Sequence, residues 1–153
     1  MRLVLVQHGD SLPAEADPER SLSARGRTDV ERLAAFLKGR AQVTRIWHSG
    51  KTRARQTAEL LAATVGTGAR VEARRGIDPL DPVEDFAVEV QGWKEDALVA
   101  GHQPFMGKLV ARLVRGAAEP EVVRFDPGTA TCLERAADGR WTVQWMLRPE
   151  LFG

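Results

Sequence analysis

The stretch "LVLVQHGD", residues 3–10, sets four consecutive apolar residues directly against Gln7, His8 and Gly9. Leu3 to Val6 show no alternation between an apolar and a polar face. Such a run reads as a short strand buried on both sides. What surrounds it decides the fold, because short apolar runs alternate along the chain with helical patterns. "VTRIWH" (43–48) reads as a second strand, and "DALVAGH" (96–102) as a third, buried one.

The segments between these runs have helical spacing. Val30, Leu33, Ala34 and Leu37 predict a helix over about 24–38, with Gly39 as its stop. Ala58, Leu61 and Ala62 predict a second over about 51–65. "ARVEAR" (69–74) reads as a weaker strand, "GIDPLDP" (76–82) as a loop, and 83–90 as a short helix. Pro104 opens a helix that reaches about Val114. "EVVRF" (121–125), "TATCLERA" (129–136) and "RWTVQWML" (140–147) read as strands, the last two joined through Asp138-Gly139. The alternation predicts one domain, residues 1–153. Its class is α/β: a three-layer α/β/α sandwich with a mostly parallel central sheet and antiparallel strands near the C-terminus. A ferredoxin-like α+β domain is the competing architecture.

Composition narrows the function. Twenty-two Lys and Arg against 21 Asp and Glu leave a net charge of +1, so no global field favours nucleic acid or a membrane. A single cysteine, Cys132, rules out an internal disulfide. No targeting or membrane-spanning pattern precedes the first strand, so a cytoplasmic domain is expected. No apolar stripe marks an interface, and a monomer is expected.

The three histidines, His8, His48 and His102, each end an apolar run. Open parallel sheets bind ligands beyond the carboxyl ends of their strands, which is where all three would lie. A zinc site would favour a tight local pair such as H-x-H, and none is present, so no metal or other cofactor is expected. The G-x-S-x-G elbow, the P-loop and the dinucleotide fingerprint are absent too. What remains is a histidine that acts on phosphorus or holds an anion. "HSGKTRARQT" (48–57) supplies basic residues at a helix start, where backbone N–H groups and the helix dipole suit an anion. Arg53 or Arg55 would add a forked contact to phosphate oxygens.

These residues resemble the motifs of the histidine phosphatase superfamily, also called phosphoglycerate-mutase-like. Gln7-His8-Gly9 resembles its Arg-His-Gly signature, Ser49 to Thr57 its Ser-Pro-x-x-Arg-Ala-x-Gln-Thr motif, and "GHQP" (101–104) the segment around the second active-site histidine. "DPERSLSARG" (17–26) resembles the Arg-Pro-Leu-Thr-x-x-Gly segment of the compact phosphohistidine-phosphatase branch. The resemblance implies that His8 is a nucleophile that becomes transiently phosphorylated. It implies that Arg53 binds phosphate and that His102 offsets the charge developing on it. Gly9 falls in the substrate-binding motif. Arg55 then reads as a solvated helix residue, His48 as a structural or rim residue, and Ser49 as a helix cap or the lender of a hydroxyl.

Gln7 departs from the pattern. A neutral amide in place of a charged fork forfeits on the order of 1–2 kcal/mol, or roughly five- to thirtyfold in rate. Arg20 matches the branch's arginine and is the candidate to compensate; a surface ion pair with Asp17 or Glu19 is its other reading. Candidate acids for a leaving group are Asp10, Asp78, Asp81, Glu84 and Asp85. The expected substrate is a phosphorylated protein of the histidine-phosphotransfer type. The alternatives are a small phosphate ester, or binding without catalysis.

Overall fold

The computed structural model describes residues 1–152. Its elements follow the predicted alternation: β1 (Arg2–Gln7), α1 (Ala24–Leu37), β2 (Arg45–His48), α2 (Thr52–Val65), β3 (Arg70–Ala73), α3 (Glu84–Gln91), β4 (Ala97–Gly101), α4 (Phe105–Arg115), β5 (Ala130–Arg135) and β6 (Trp141–Leu147). A short 3-10 turn, Pro149–Phe152, closes the described chain.

The six strands form one sheet in the order β3-β2-β4-β1-β5-β6. The pairs β1–β4, β2–β4 and β2–β3 are parallel; β1–β5 and β5–β6 are antiparallel. The strands that carry the unbroken apolar runs, β1 and β4, lie side by side in the middle, with Leu3 opposite Ala97 and Gln7 opposite Gly101.

Side chains alternate across this sheet with period two, so neighbouring residues serve opposite cores. Leu3, Leu5 and Val99 pack with Phe86, Phe105, Met106 and Leu109 from α3 and α4. Val4, Val6, Leu98 and Ala100 pack with Val30, Leu33 and Leu61 from α1 and α2. Full burial of a Val or Leu side chain contributes about 1.5–3 kcal/mol. Both helical layers are therefore needed to cover the centre of the sheet.

This assignment of helices positions the site. The chain leaves β1 for the α1/α2 layer and leaves the adjacent β4 for the α3/α4 layer. Loops diverging from neighbouring parallel strands open a crevice between their carboxyl ends, the switch point where ligands bind in open α/β sheets. His8 follows β1 and His102 follows β4.

One predicted strand does not form. Residues 121–125 run as an irregular connection between α4 and β5. Both edges of β1 are already taken, by β4 and β5, so the sheet has no place for the segment there. It is held instead by burial of Phe125, by the Glu121 carboxylate against Gly107, and by Arg115, which donates to the carbonyl of Glu119 (2.7 Å).

Candidate active site

The β1–α1 loop reaches the site because α1 and α2 hold it down. Ser23 caps α1: its Oγ accepts from the Gly26 N–H (3.0 Å) and donates to the Asp10 carboxylate (2.6 Å). Gly26 lies so close to Asp10 that a Cβ there would sit 1.9 Å from the Asp10 carbonyl oxygen. From α2, Gln56 Oε1 accepts from the Leu22 N–H (2.7 Å), and Thr57 Oγ1 accepts from the Gly9 N–H (3.0 Å). The Gln and Thr of the second motif thus fasten the loop that carries the first. Nothing in their spacing alone assigns them that task.

His8 is 9% exposed and its two ring nitrogens have different partners. Nδ1 lies 2.7 Å from the Gly9 carbonyl oxygen, which can only accept, so Nδ1 carries the proton. Nε2 is left with its lone pair and accepts from Arg53 Nε–H at 3.3 Å. Burial is the main reason that the His8 pKa falls from its ordinary 6.5 to about 4; the Gly9 bond opposes the fall, and the Arg53 and Arg20 charges add to it. The ring is neutral at pH 7.

His102, 1% exposed, faces His8 with ring centres 5.1 Å apart and planes inclined by 55°. Its pKa is pushed down to about 3, first by burial and then by His8, Arg53, Lys51 and Arg20. Its Nε2 lies 2.6 Å from Ser49 Oγ. Ser49 therefore does not cap α2; the N-cap position belongs to Lys51, which makes no side-chain capping bond. The serine hydroxyl bonds the second histidine and also accepts from the Lys51 N–H (3.4 Å).

Arg20 makes no ion pair with Asp17 or Glu19 among the described residues. Asp17 instead accepts from the Glu19 and Ser21 N–H groups. The Arg20 guanidinium donates to Ser11 Oγ (3.0 Å) and the Leu12 carbonyl (3.3 Å), and its charge is felt at His8, Arg53 and His102. Its φ of 52° is uncommon for a residue with a Cβ, and such backbone strain clusters at functional sites.

Gln7 ends β1 with its carbonyl accepting from the Gly128 N–H, and its Oε1 is buried without a hydrogen-bond partner among the described residues. The backbone N–H of Gly9 is taken by Thr57 and its carbonyl by His8. His48 lies outside the cluster, buried, with Nδ1 accepting from the Gly50 N–H (3.1 Å). Arg55 pairs on the surface with Glu59 (3.2 Å).

Three of the five candidate acids have other employment. Asp10 is bonded to Ser23, Asp81 to the Asp78 N–H (2.9 Å), and Glu84 to Arg112 (2.7 Å). Among the described residues no carboxylate is hydrogen-bonded to His8, Arg53 or His102. The Asp78 charge nevertheless reaches Arg53, and that of Asp10 reaches His8. No cluster of three or more metal-ligating side chains is found among the described residues. No helix among them is long and apolar enough to cross a membrane.

What the cluster can do chemically is accept an electrophile. A neutral imidazole presents its Nε2 lone pair beside a guanidinium, with a second neutral imidazole opposite and further cations nearby. Phosphorus in an anionic phosphoryl group fits that combination.

Comparison with known proteins gives the same direction. A model of the histidine phosphatase superfamily (branch 1) matches residues 3–81. The phosphohistidine phosphatase SixA of Escherichia coli (strain K12) is 26% identical over 155 residues, covering 97% of this chain and 94% of that protein. A structure of the protein histidine phosphatase SixA complexed with tungstate superposes with a TM-score of 0.85 at 26% identity over the full length of both chains. The α-ribazole phosphatase of Shigella flexneri has the same fold (TM-score 0.71, 18% identity, 97% of each chain).

Proposed function

The chain belongs to the histidine phosphatase superfamily, and from that premise we propose that it is a hydrolase removing phosphoryl groups from protein phosphohistidine through a phospho-His8 intermediate. The observation that carries this reading is the tautomer of His8: the Gly9 carbonyl holds the proton on Nδ1, and the lone pair of Nε2 is directed toward Arg53.

In the first half-reaction the Nε2 lone pair forms a bond to phosphorus while the bond from phosphorus to the substrate imidazole breaks. The leaving imidazole takes the electron pair and departs neutral if its other nitrogen already carries a proton. Arg53 exchanges its bond with Nε2 for bonds to phosphoryl oxygens, and Arg20 and His102 offset the charge spread over the others. Water then attacks phosphorus, the electron pair returns to Nε2, and inorganic phosphate leaves as the water proton passes to solvent.

One feature favours phosphohistidine over an ester. An alkoxide leaving group needs a proton donor, and no carboxylate touches the reacting histidines among the described residues. We infer a cytoplasmic monomer acting on a phosphorylated partner protein.

A small phosphate ester is the second reading, and the charges of Asp78 and Asp10 reaching the site speak for it. The deciding experiment is release of phosphate from a phosphorylated histidine-phosphotransfer domain and, separately, from an aryl phosphate, by wild type and His8→Ala. The proposal expects release from the first substrate, abolished by the substitution. Faster turnover of the aryl phosphate favours the ester. No release from either means a protein that binds phosphoryl groups without hydrolysing them.

A further inference from the structure

Four hydrogen bonds around His8 close into a ring. Arg53 Nε–H donates to His8 Nε2 (3.3 Å), and His8 Nδ1–H donates to the Gly9 carbonyl (2.7 Å). The Gly9 N–H donates to Thr57 Oγ1 (3.0 Å), and the Thr57 hydroxyl donates to the Arg53 carbonyl (2.8 Å). The direction of every bond is forced. Neither carbonyl can donate, and a backbone N–H or a guanidinium N–H cannot accept. The four donors therefore run the same way round.

We propose that Thr57 is a positioning residue that sets the tautomer of His8 and aims its Nε2, acting through Gly9. The idea rests on reading His8 as the nucleophile, but its structural half stands without catalysis. Thr57 is fully buried and touches neither ring of the histidine pair among its hydrogen bonds. Its hydroxyl proton is committed to the preceding helical turn, a common bond for a threonine in a helix. That commitment leaves an oxygen lone pair for the Gly9 N–H.

Gly9 needs such an anchor. It has no Cβ, and one built there would come within 2.9 Å of both the Gly26 carbonyl oxygen and Val30 Cγ2. Close packing thus demands a residue whose own backbone is the least restricted of all. The bond from Thr57 fixes Gly9 so that its carbonyl meets His8 Nδ1. Which ring nitrogen carries the proton is decided by the bond the other one makes.

The test compares Thr57→Val, which keeps the shape and deletes the oxygen, with Thr57→Ser, which keeps the oxygen. Long-range 1H–15N NMR of the histidine rings reads the His8 tautomer without any substrate. Wild type and Thr57→Ser are expected to show the Nδ1–H form, and Thr57→Val a mixture of both tautomers. Turnover of a phosphohistidine protein is expected to fall roughly ten- to hundredfold in kcat for Thr57→Val, with KM changed less than about threefold and Thr57→Ser near wild type. A Thr57→Val protein that keeps the wild-type Nδ1–H signature overturns the proposal, whatever its activity. If Thr57→Val does not fold, Thr57→Cys, with its much weaker acceptor, carries the same comparison. Absence of turnover in wild type overturns the phosphatase reading and leaves the tautomer measurement to decide the role of Thr57.

Discussion

Replacing His8 with asparagine gives a quantitative test of its environment, because asparagine keeps an N–H near the Nδ1 position and removes the titration. In the folded protein the His8 pKa lies at about 4, against 6.5 for the free group. Between those values the unfolded chain takes up a proton that the folded one refuses. Stability therefore falls as the pH drops from about 6.5 toward about 4, and no further loss from this group follows below that. The size follows from the displacement: about 2 kcal/mol lost by pH 5 and about 3 kcal/mol by pH 4, at 1.36 kcal/mol for each pKa unit. His102 also resists protonation, mainly through burial that both proteins share; the part due to His8 goes with the substitution and adds to the difference. Urea unfolding at about pH 7, 5 and 4, in a buffer free of phosphate, gives the difference between wild type and His8→Asn directly. Wild type is expected to lose about 3 kcal/mol more than the variant over that range. Parallel curves, within about 0.5 kcal/mol, would refute the claim that His8 is held neutral by burial.

Three further outcomes follow from particular contacts. Gly26→Ala places a methyl group 1.9 Å from the Asp10 carbonyl oxygen, a backbone atom, and is expected to destabilise the protein by about 3 kcal/mol or more in the same urea assay. Arg20→Gln is expected to lower kcat/KM on phosphohistidine by roughly five- to thirtyfold, since Gln7 leaves Arg20 to supply a charge that the family motif places one residue before the histidine. The acid limb of kcat/KM against pH is expected near 4, where free His8 protonates, and not near 6.5; pH–rate profiles from a phosphohistidine substrate check it.

The fold was largely legible because its centre is buried on both faces. Leu3 to Val6 and Ala97 to Ala100 stand out as unbroken apolar runs, and the helical spacing of the segments between the runs supplies the covering layers. The place of His8 and His102 followed in turn, since a histidine ending each of two central strands has to lie at their carboxyl edge. Residues 121–125 misled because their apolar pattern suits a strand while the places beside β1 belong to β4 and β5, a fact of topology and not of local sequence. Arg20 was ambiguous for a similar reason. Asp17 and Glu19 are near in sequence, but the loop turns the guanidinium toward Ser11 and Leu12. Ser49 looked like a cap because it precedes a helix; it bonds His102, which is 53 residues away in the chain. The task of Thr57 was hidden altogether, since a threonine on the buried side of a helix looks the same whether or not a loop hangs from it.

The central claim is that His8 Nε2 carries the phosphoryl group during turnover. Rapid acid-free denaturation in mid-reaction, followed by mass spectrometry and 31P NMR of the labelled chain, tests it most directly. The account predicts one phosphate on the Nε2 of His8, lost in acid, stable in base, and absent from His8→Ala. Phosphate on another residue, or continued turnover by His8→Ala, would contradict it.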